Sequence, residues 1–241
     1  MNVICKTDKG KKRELNEDYV LTLKGNDYQL LIVADGMGGH NAGEIASKLA
    51  SMRVRDYVFD AYSNTKDKEE LLRIAISKAN DAVYLKSQEN KELSGMGTTL
   101  TSILVTGTNV YFGHVGDSRA YIIADGDIRK ITQDHSLVQE LIDNGSITES
   151  EAINHPQRNL ITRAVGTEKN VSIDTGCEQV KKGDIIMLCS DGLTNYISKE
   201  EILEIVKEKE SGAVEELIRT ANERGGSDNI SIILASGEDR I

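Results

Sequence analysis

The chain has 241 residues, of which 39% are hydrophobic and 28% charged, and its 29 basic and 39 acidic residues give a net charge of −10. The acidic balance argues against a nucleic-acid partner, and neither a membrane-length apolar run nor the apolar core of a signal peptide is present. We therefore expect a single cytoplasmic domain over residues 1–241 with a sizeable core and no membrane partner.

The first half of the chain predicts one buried strand followed by two long helices. Residues 28–34 form a continuous apolar run, which is typical of a buried strand. Helical spacing of apolar residues follows at 42–59 and again at 68–87. The apolar face predicted for the first helix consists of Ile45, Leu49, Met52, Tyr57 and Phe59. The face predicted for the second helix consists of Leu71, Leu72, Ala75, Ile76, Ala79 and Val83.

After residue 98 the pattern changes to short strands with tight turns. The predicted strands are 99–106, 109–115, 119–124, 127–131, 171–178, 184–190 and 229–235, with helices near 198–208 and 211–223. Asp125-Gly126 is typical of a hairpin turn rather than of an aspartyl-phosphate motif. The apolar residues of 134–170 follow neither helical nor strand spacing, which indicates an excursion from the core. Adjacent hairpins with helices grouped elsewhere predict an α+β protein with antiparallel sheets covered by helices.

Five aspartates share a position at the ends of predicted strands. They are Asp18, Asp35, Asp117, Asp191 and Asp228. Ionised carboxylates in such places are costly unless they are paired, and only Arg13 and Arg119 are clear partners nearby. A single Asp-Gly is usually a turn, but five such aspartates favour hard divalent cations, which bind carboxylate oxygens and water.

Two other kinds of site are disfavoured. The loop after Asp35 has a Gly-x-Gly start, but Asn41 occupies the third glycine position of a dinucleotide-binding loop. We expect Cys5, Cys177 and Cys189 to be buried, reduced thiols. None of them has an arginine six residues later, so catalysis by a covalent thiol is disfavoured.

Seven segments in the same order resemble the motif set of the PPM family, the PP2C-type serine/threonine phosphatases, with the bacterial branch most similar. The segments are 13–18, 33–40, 97–99, 113–119, 134–136, 188–193 and 227–230. The resemblance covers residues 13 to about 235. It implies a four-layer α-β-β-α sandwich of two antiparallel sheets flanked by helices, with a flap near 134–170 beside the active site.

The resemblance also implies a metal centre with two Mn²⁺ or Mg²⁺ ions and a third ion in bacterial relatives. The implied ligands are Asp35 and the Gly36 carbonyl, Asp191 and Asp228, with Asp117 joining Asp191 at the third ion. Asp18, Glu17 and Asn229 are expected just behind these ligands, with Asp18 holding metal-bound waters. A hydroxide activated between the two ions is expected to attack phosphorus directly, without a covalent intermediate.

Arg13 is the residue expected to bind the substrate phosphate, because a guanidinium grips two phosphate oxygens at once. Met37 replaces the histidine with which animal relatives are proposed to protonate the leaving alcohol. His40 does not inherit that role, and a metal-bound water is the preferred acid. Arg119 is expected to pin the turn around Asp117. No chemistry is assigned to His114, His135 and His155.

The expected partners are phosphoserine and phosphothreonine proteins, with a cognate serine/threonine kinase and its targets, and we expect a monomer. A non-catalytic relative that keeps the fold as a binding module is one alternative, and a nuclease is another. The complete set of aspartates argues against the first alternative, and the negative charge argues against the second.

Overall fold

The computed structural model describes residues 1–38, 42–89 and 91–237. Its strands are β1 (Asn2–Asp8), β2 (Asp18–Lys24), β3 (Gln29–Met37), β4 (Gly97–Thr98), β5 (Leu100–Thr106), β6 (Asn109–Val115), β7 (Arg119–Ala124), β8 (Asp127–Lys130), β9 (Asp174–Gln179), β10 (Ile185–Cys189) and β11 (Ile230–Ser236). Its α-helices are α1 (Ala42–Ala61), α2 (Lys68–Ser87), α3 (Leu137–Asp143), α4 (Glu149–Ala152), α5 (Asp191–Thr194), α6 (Lys199–Lys209) and α7 (Ala213–Glu223).

The strands form two antiparallel sheets. One sheet has the order β1-β11-β10-β7-β8, and the other has the order β2-β3-β5-β6-β9 with β4 paired to β3. The chain passes from the second sheet to the first in the turn between β6 and β7. Strands β7 and β8 pair through Ala124 and Asp127, so the hairpin predicted at Asp125-Gly126 is confirmed.

Three apolar clusters divide the molecule into four layers. One cluster lies between the sheets and includes Leu31 and Val33 from β3, Ile186 and Leu188 from β10, and Ile233 from β11. A second lies between the sheet of β3 and helices α1 and α2. The third lies between the other sheet and helices α6 and α7. The predicted α-β-β-α sandwich of two antiparallel sheets is therefore confirmed.

Local signals position two of the long helices. Helix α2 begins after Asp67, whose side chain accepts hydrogen bonds from the backbone N–H groups of Glu69 and Glu70. Helix α6 begins with a capping box between Ser198 and Glu201. Helix α2 buries every apolar residue predicted for its inner face. These elements follow directly from the sequence.

Helix α1 has the predicted position, but the prediction of its buried face was wrong. The face against the sheet consists of small residues: Ala42, Gly43, Ala46, Ser47, Ala50, Ser51, Val54 and Val58. Leu49, Met52 and Tyr57 are only partly buried, whereas Ile45 and Phe59 are exposed. Both faces repeat with helical spacing, and the small face allows the helix to approach the sheet more closely.

Two further differences arise at the sheet edges. Strand β1 was not predicted, and β9 begins at Asp174 rather than at 171. Cys189 is buried as predicted, but Cys5 and Cys177 are exposed. These two cysteines lie on β1 and β9, which are edge strands and leave side chains open to solvent.

The excursion at 134–170 contains the two short helices α3 and α4 and is pinned to the core at both ends. Its start is held where the N–H of His135 donates to the Gly116 carbonyl at 2.8 Å, and its end is held by a bridge between Val165 and Thr98. A second bridge, between Ser136 and Ile161, lies within the excursion. The Asn80 amide of α2 donates to the carbonyls of Glu168 and Lys169 at 3.0 and 3.1 Å. Among the helices in the described ranges, none is long and apolar enough to cross a bilayer.

Candidate active site

The five aspartates come from both sheets and from the turn that connects them. Asp18 begins β2 and pairs in register with Asp35 of β3. Asp191 begins α5 directly after β10, and Asp228 lies just before β11, which pairs with β10. Asp117 lies in the turn between β6 and β7. The antiparallel order places these chain positions at one end of the sandwich.

Electrostatic interactions among these aspartates show that the side chains converge. Burial is the largest cause of a pKa for Asp35 well above the ordinary value, and the charges of Asp18, Asp191, Asp117 and Asp228 raise this pKa further. Opposed carboxylates of this kind cannot all ionise without a compensating positive charge. The structure therefore brings together the five residues that the sequence singled out.

Three of the neighbouring carboxylates share this shift. Burial raises the pKa of Asp18 to about 7, against hydrogen bonds from Ser231 and Ser190 that lower it. Burial and the charge of Asp191 raise the pKa of Asp117 to about 8. The pKa of Asp191 is raised by burial and by Asp228. Without a cation, Asp18 and Asp117 therefore retain protons near neutral pH.

Two buried carboxylate oxygens have no hydrogen-bond partner among the described residues: Oδ1 of Asp18 and Oδ1 of Asp191. The Oδ2 atom of Asp18 accepts from the Ser190 hydroxyl at 2.8 Å, and Oδ2 of Asp191 accepts from the Asn195 amide at 3.0 Å. Buried oxygens left free in this way fit a hard cation.

Side chains alone do not form a complete ligand set here. Within residues 1–38, 42–89 and 91–237, no three His, Cys, Asp or Glu side chains are grouped closely enough to hold an ion. A cation at this site must therefore also take backbone carbonyls and waters. Mg²⁺ typically binds in this manner, keeping several waters beside one or two carboxylates.

The backbone around Asp35 is fixed by the threonines of the 97–99 segment. The N–H of Asp35 donates to the Thr99 hydroxyl at 2.9 Å, and the Thr98 hydroxyl donates to the Asp35 carbonyl at 2.9 Å. A Cβ on Gly36 would collide with the carbonyl of Gly43 at the start of α1, so only glycine fits after Asp35. These contacts give a geometric reason for two of the seven segments, 33–40 and 97–99.

Arg13 lies at the site and bonds one of its aspartates. Its Nη2 atom donates to Oδ2 of Asp228 at 2.9 Å, and the guanidinium side chain is 49% exposed. The ion-pair partner of Arg13 in this structure is therefore Asp228. Because the guanidinium remains accessible beside the aspartates, it can reach a phosphate bound there.

Asn229 holds the segment that carries Arg13. Its Oδ1 accepts from the N–H of Glu17 at 2.8 Å, and its amide nitrogen donates to the carbonyls of Lys9 and Leu15, each at 2.9 Å. Asn229 is buried. Three hydrogen bonds from one side chain thus fix residues 9–17 against the start of β11.

Glu17 connects this segment to α1. Its carbonyl accepts from the N–H of Gly36 at 3.1 Å and from the Ser47 hydroxyl at 2.6 Å. Burial raises the pKa of its side chain, against the charge of Arg13. Met37 is the last residue of β3, which continues three residues beyond the predicted strand end at residue 34. His40 lies outside the described residues.

Arg119 does not pin the Asp117 turn directly. Its Nε and Nη2 atoms contact Oδ2 of Asp134 at 2.9 and 2.7 Å, and Lys130 bonds the other oxygen at 3.1 Å. Asp134 is the first residue of the flap. Arg119 therefore fixes the start of the flap on β7.

The connection to the Asp117 turn is made by His135, which sequence reasoning had left without a role. The N–H of Gly116 donates to Nδ1 of His135 at 3.0 Å, and the N–H of His135 donates to the Gly116 carbonyl at 2.8 Å. Its Nε2 atom lies 3.2 Å from Oδ2 of Asp174. The signal for this contact in the sequence is the Asp-His-Ser segment at 134–136, which is one of the seven segments of the family resemblance.

Fold and site together define a class of protein: a sandwich of two antiparallel sheets whose aspartates lie at one end of the sandwich, in an arrangement suited to divalent cations. The model of the family described as "Protein phosphatase 2C" matches residues 7–235. The chain belongs to this family, and it is a phosphoprotein phosphatase. The predicted family and enzyme class are confirmed.

Individual relatives agree with this assignment. The serine/threonine phosphatase stp of Listeria monocytogenes is 39% identical over 239 residues, covering 97% of this chain and 95% of the relative. A serine/threonine phosphatase structure from S. agalactiae has a TM-score of 0.92 at 36% identity and covers 98% of this chain and 99% of its own.

A related structure also contains metal. The catalytic domain of the serine/threonine protein phosphatase PstP, solved with two manganese ions, has a TM-score of 0.86 at 37% identity. The match covers 98% of this chain and 97% of that domain. A protein with this fold and at this level of similarity therefore binds two manganese ions.

Proposed function

We propose that the chain hydrolyses phosphoserine and phosphothreonine in proteins, using divalent cations held by the aspartates at the end of the sandwich. The observation that carries the proposal is the convergence of five aspartates, two of which keep a buried oxygen free of any described hydrogen bond. The relatives named serine/threonine phosphatases support the choice of substrate.

Asp35, the Gly36 carbonyl, Asp191 and Asp228 would hold two Mn²⁺ or Mg²⁺ ions, and Asp117 with Asp191 would hold a third. When bound, such ions lower the pKa of a water and neutralise charge on phosphoryl oxygens. The two manganese ions in the PstP structure favour manganese for the central pair. The third ion is proposed from the family resemblance, and the burial of Asp117 beside the charge of Asp191 supports it.

The other side chains orient these groups and the substrate. Asn195 fixes one oxygen of Asp191, and Ser190 fixes one oxygen of Asp18. When substrate binds, Arg13 leaves Asp228 and binds two oxygens of the phosphate. The guanidinium makes two hydrogen bonds to a phosphate but contacts only one oxygen of Asp228. No ionisable group stands at Met37, so the leaving oxygen takes its proton from water.

Partners and location follow from this activity. A serine/threonine kinase acting on the same proteins would produce the substrate, because only a phosphorylating enzyme creates the ester that the site consumes. The exposed thiols of Cys5 and Cys177, both free, support a reducing, cytoplasmic setting. We propose that the chain acts as a monomer.

The test is turnover of phosphoserine, phosphothreonine and phosphotyrosine peptides with Mn²⁺, with Mg²⁺ and with chelator, together with Mn²⁺ stoichiometry by titration calorimetry. Asp35→Asn should lose metal binding and reduce turnover by more than about 100-fold, because a proposed metal ligand is removed. Asp60→Asn, an exposed position on α1, is the control. Near-normal turnover in Asp35→Asn, or turnover that ignores chelator, contradicts the proposal.

A further inference from the structure

The outer surface of the α1–α2 pair carries an apolar groove that no described segment covers. The groove has a volume of about 650 Å³. Its apolar lining consists of Ile45, Leu49 and Met52 of α1 and of Ala82 and Leu85 of α2. Ile45 is 38% exposed and Leu85 is 66% exposed.

The groove exists because α1 buries its small-residue face against the sheet, which leaves its larger apolar residues on the outside. Ile45, Leu49 and Met52 have the spacing i, i+4, i+7, so they form one stripe along the helix. A helix that is apolar on two faces normally has a second partner. The inner face has the sheet, and the outer face faces solvent.

The charged residues that line the groove are mostly basic, whereas the whole chain has a negative net charge. Lys48, Arg53 and Lys86 line it together with one acid, Glu89. Lys86 is paired with Glu89 at 2.6 Å, whereas Lys48 and Arg53 form no ion pair within the part of the chain that the structure describes. The groove is thus locally basic in a chain whose net charge is −10.

We propose that this groove binds an acidic amphipathic helix of a partner protein. A third helix laid between two antiparallel helices packs its apolar ridge into the groove at a shallow angle. Acidic residues beside that ridge meet Lys48 and Arg53, which provides complementarity and orientation. The groove lies on the helical layer and does not include the aspartates, so this binding is independent of the proposed catalysis.

Two other occupants fit less well. In a symmetric dimer of this chain the same patch would meet its own copy, which places one locally basic surface against another. Each basic residue contributes only about 1 kcal/mol to the free energy of binding to an anionic membrane. Two basic side chains that lack an ion-pair partner among the described residues, on a concave surface, are too few for stable attachment.

The first experiment is selection from a displayed library of random 16-residue peptides, with the whole protein as bait and the Leu85→Glu variant as counter-selection. Recovered peptides should carry apolar residues at helical spacing with flanking Asp or Glu. Leu85→Glu should weaken the best peptide at least tenfold by titration calorimetry. Phe59→Glu should not, because Phe59 is equally exposed at 68% on α1 but lies outside the groove.

The second experiment tests the charge. Exchanging Lys48 and Arg53 together for Glu should weaken the best peptide at least tenfold, and a peptide with its acids changed to Lys should regain the lost affinity. Unchanged p-nitrophenyl phosphate turnover and thermal unfolding show that the variants are folded. The proposal is overturned if no peptide depends on Leu85 or if basic peptides are preferred. It is also overturned if sedimentation or vesicle binding reveals self-association or lipid binding that Leu85→Glu abolishes.

Discussion

At the scale of single residues, the position of Arg13 depends on Asn229, a side chain with no chemistry of its own. Asn229 bonds three backbone groups of residues 9–17, and these bonds hold Arg13 within 2.9 Å of Asp228. The sequence identified Arg13 from its motif, but it did not show that Asn229 supports it. The contact between Asn229 and Glu17 joins residues 212 positions apart, so no local pattern could reveal it.

Arg13→Ala should mainly raise KM for phosphopeptides, by about ten- to hundredfold, since a charge-assisted contact made in the ground state is removed. Arg13→Lys should recover part of the loss, because it keeps the charge but not the planar fork. Steady-state kinetics with saturating Mn²⁺ provide the measurement. Arg55→Ala, which breaks another Arg–Asp contact far along α1, is the control. An unchanged KM with a collapsed kcat would place Arg13 at the transition state instead.

At the scale of elements, the flap and the Asp117 turn are connected through one histidine. His135 exchanges two hydrogen bonds with Gly116, and its carbonyl accepts from the N–H of Thr162 at 2.9 Å. Burial lowers its pKa, against the hydrogen bond to Asp174, so the neutral ring keeps Nδ1 free to accept. These hydrogen bonds therefore hold the flap against the site.

His135→Leu should loosen the Asp117 turn, because the buried N–H of Gly116 loses its acceptor at a cost of about 1–3 kcal/mol. Hydrogen exchange of a peptide covering 113–119 should become faster, whereas strands β10 and β11 keep their protection. His135→Asn, which retains an acceptor near Nδ1, should restore most of the protection. His155→Leu in the flap serves as control. Equal exchange in wild type and His135→Leu would show that the histidine does not hold the turn.

At the scale of the whole molecule, the aspartate group couples stability to pH and to metal. Asp18 and Asp117 have pKa values of about 7 and about 8 in the folded chain, against 3.8 as the ordinary value. Above pH 6.5 the unfolded chain has already released these protons, whereas the folded chain still binds them. Stability therefore falls as pH rises through the folded pKa values.

His114 sets the lower end of the pH range in which the carboxylates alone decide how stability changes with pH. Burial and the neighbouring His135 lower its pKa to about 4, against an ordinary 6.5, so its contribution rises with pH only below 6.5. Between pH 6.5 and 8 the carboxylates dominate. In that window the metal-free protein should lose several degrees of Tm, since about 1 kcal/mol shifts a domain of this size by about 2–4 °C.

Thermal unfolding in chelator and in saturating Mn²⁺ from pH 6.5 to 8 tests this expectation. Bound metal should raise Tm, and the gain should grow with pH because the ion replaces the protons. Asp18→Asn should flatten the slope of the metal-free protein. A metal-free Tm that rises over this range would contradict the carboxylate shifts.

The sequence by itself determined most of the elements and the chemistry at their ends, although β1 and the start of β9 were missed. Periodicity predicted α2 and the strands from β5 to β8, since these signals lie within a few neighbouring residues. The five strand-end aspartates were identified for the same reason. Their convergence was inferred from the family resemblance and from the cost of isolated buried charge.

Only the tertiary structure decided which face of α1 is buried, what holds Arg13, and how the flap reaches the Asp117 turn. Each depends on contacts between residues that are distant in the chain. The apolar stripe of Ile45, Leu49 and Met52 satisfies the helical pattern as well as the small-residue face does. The small-residue face packs against the sheet because small side chains allow the helix to come closer and to pack more densely.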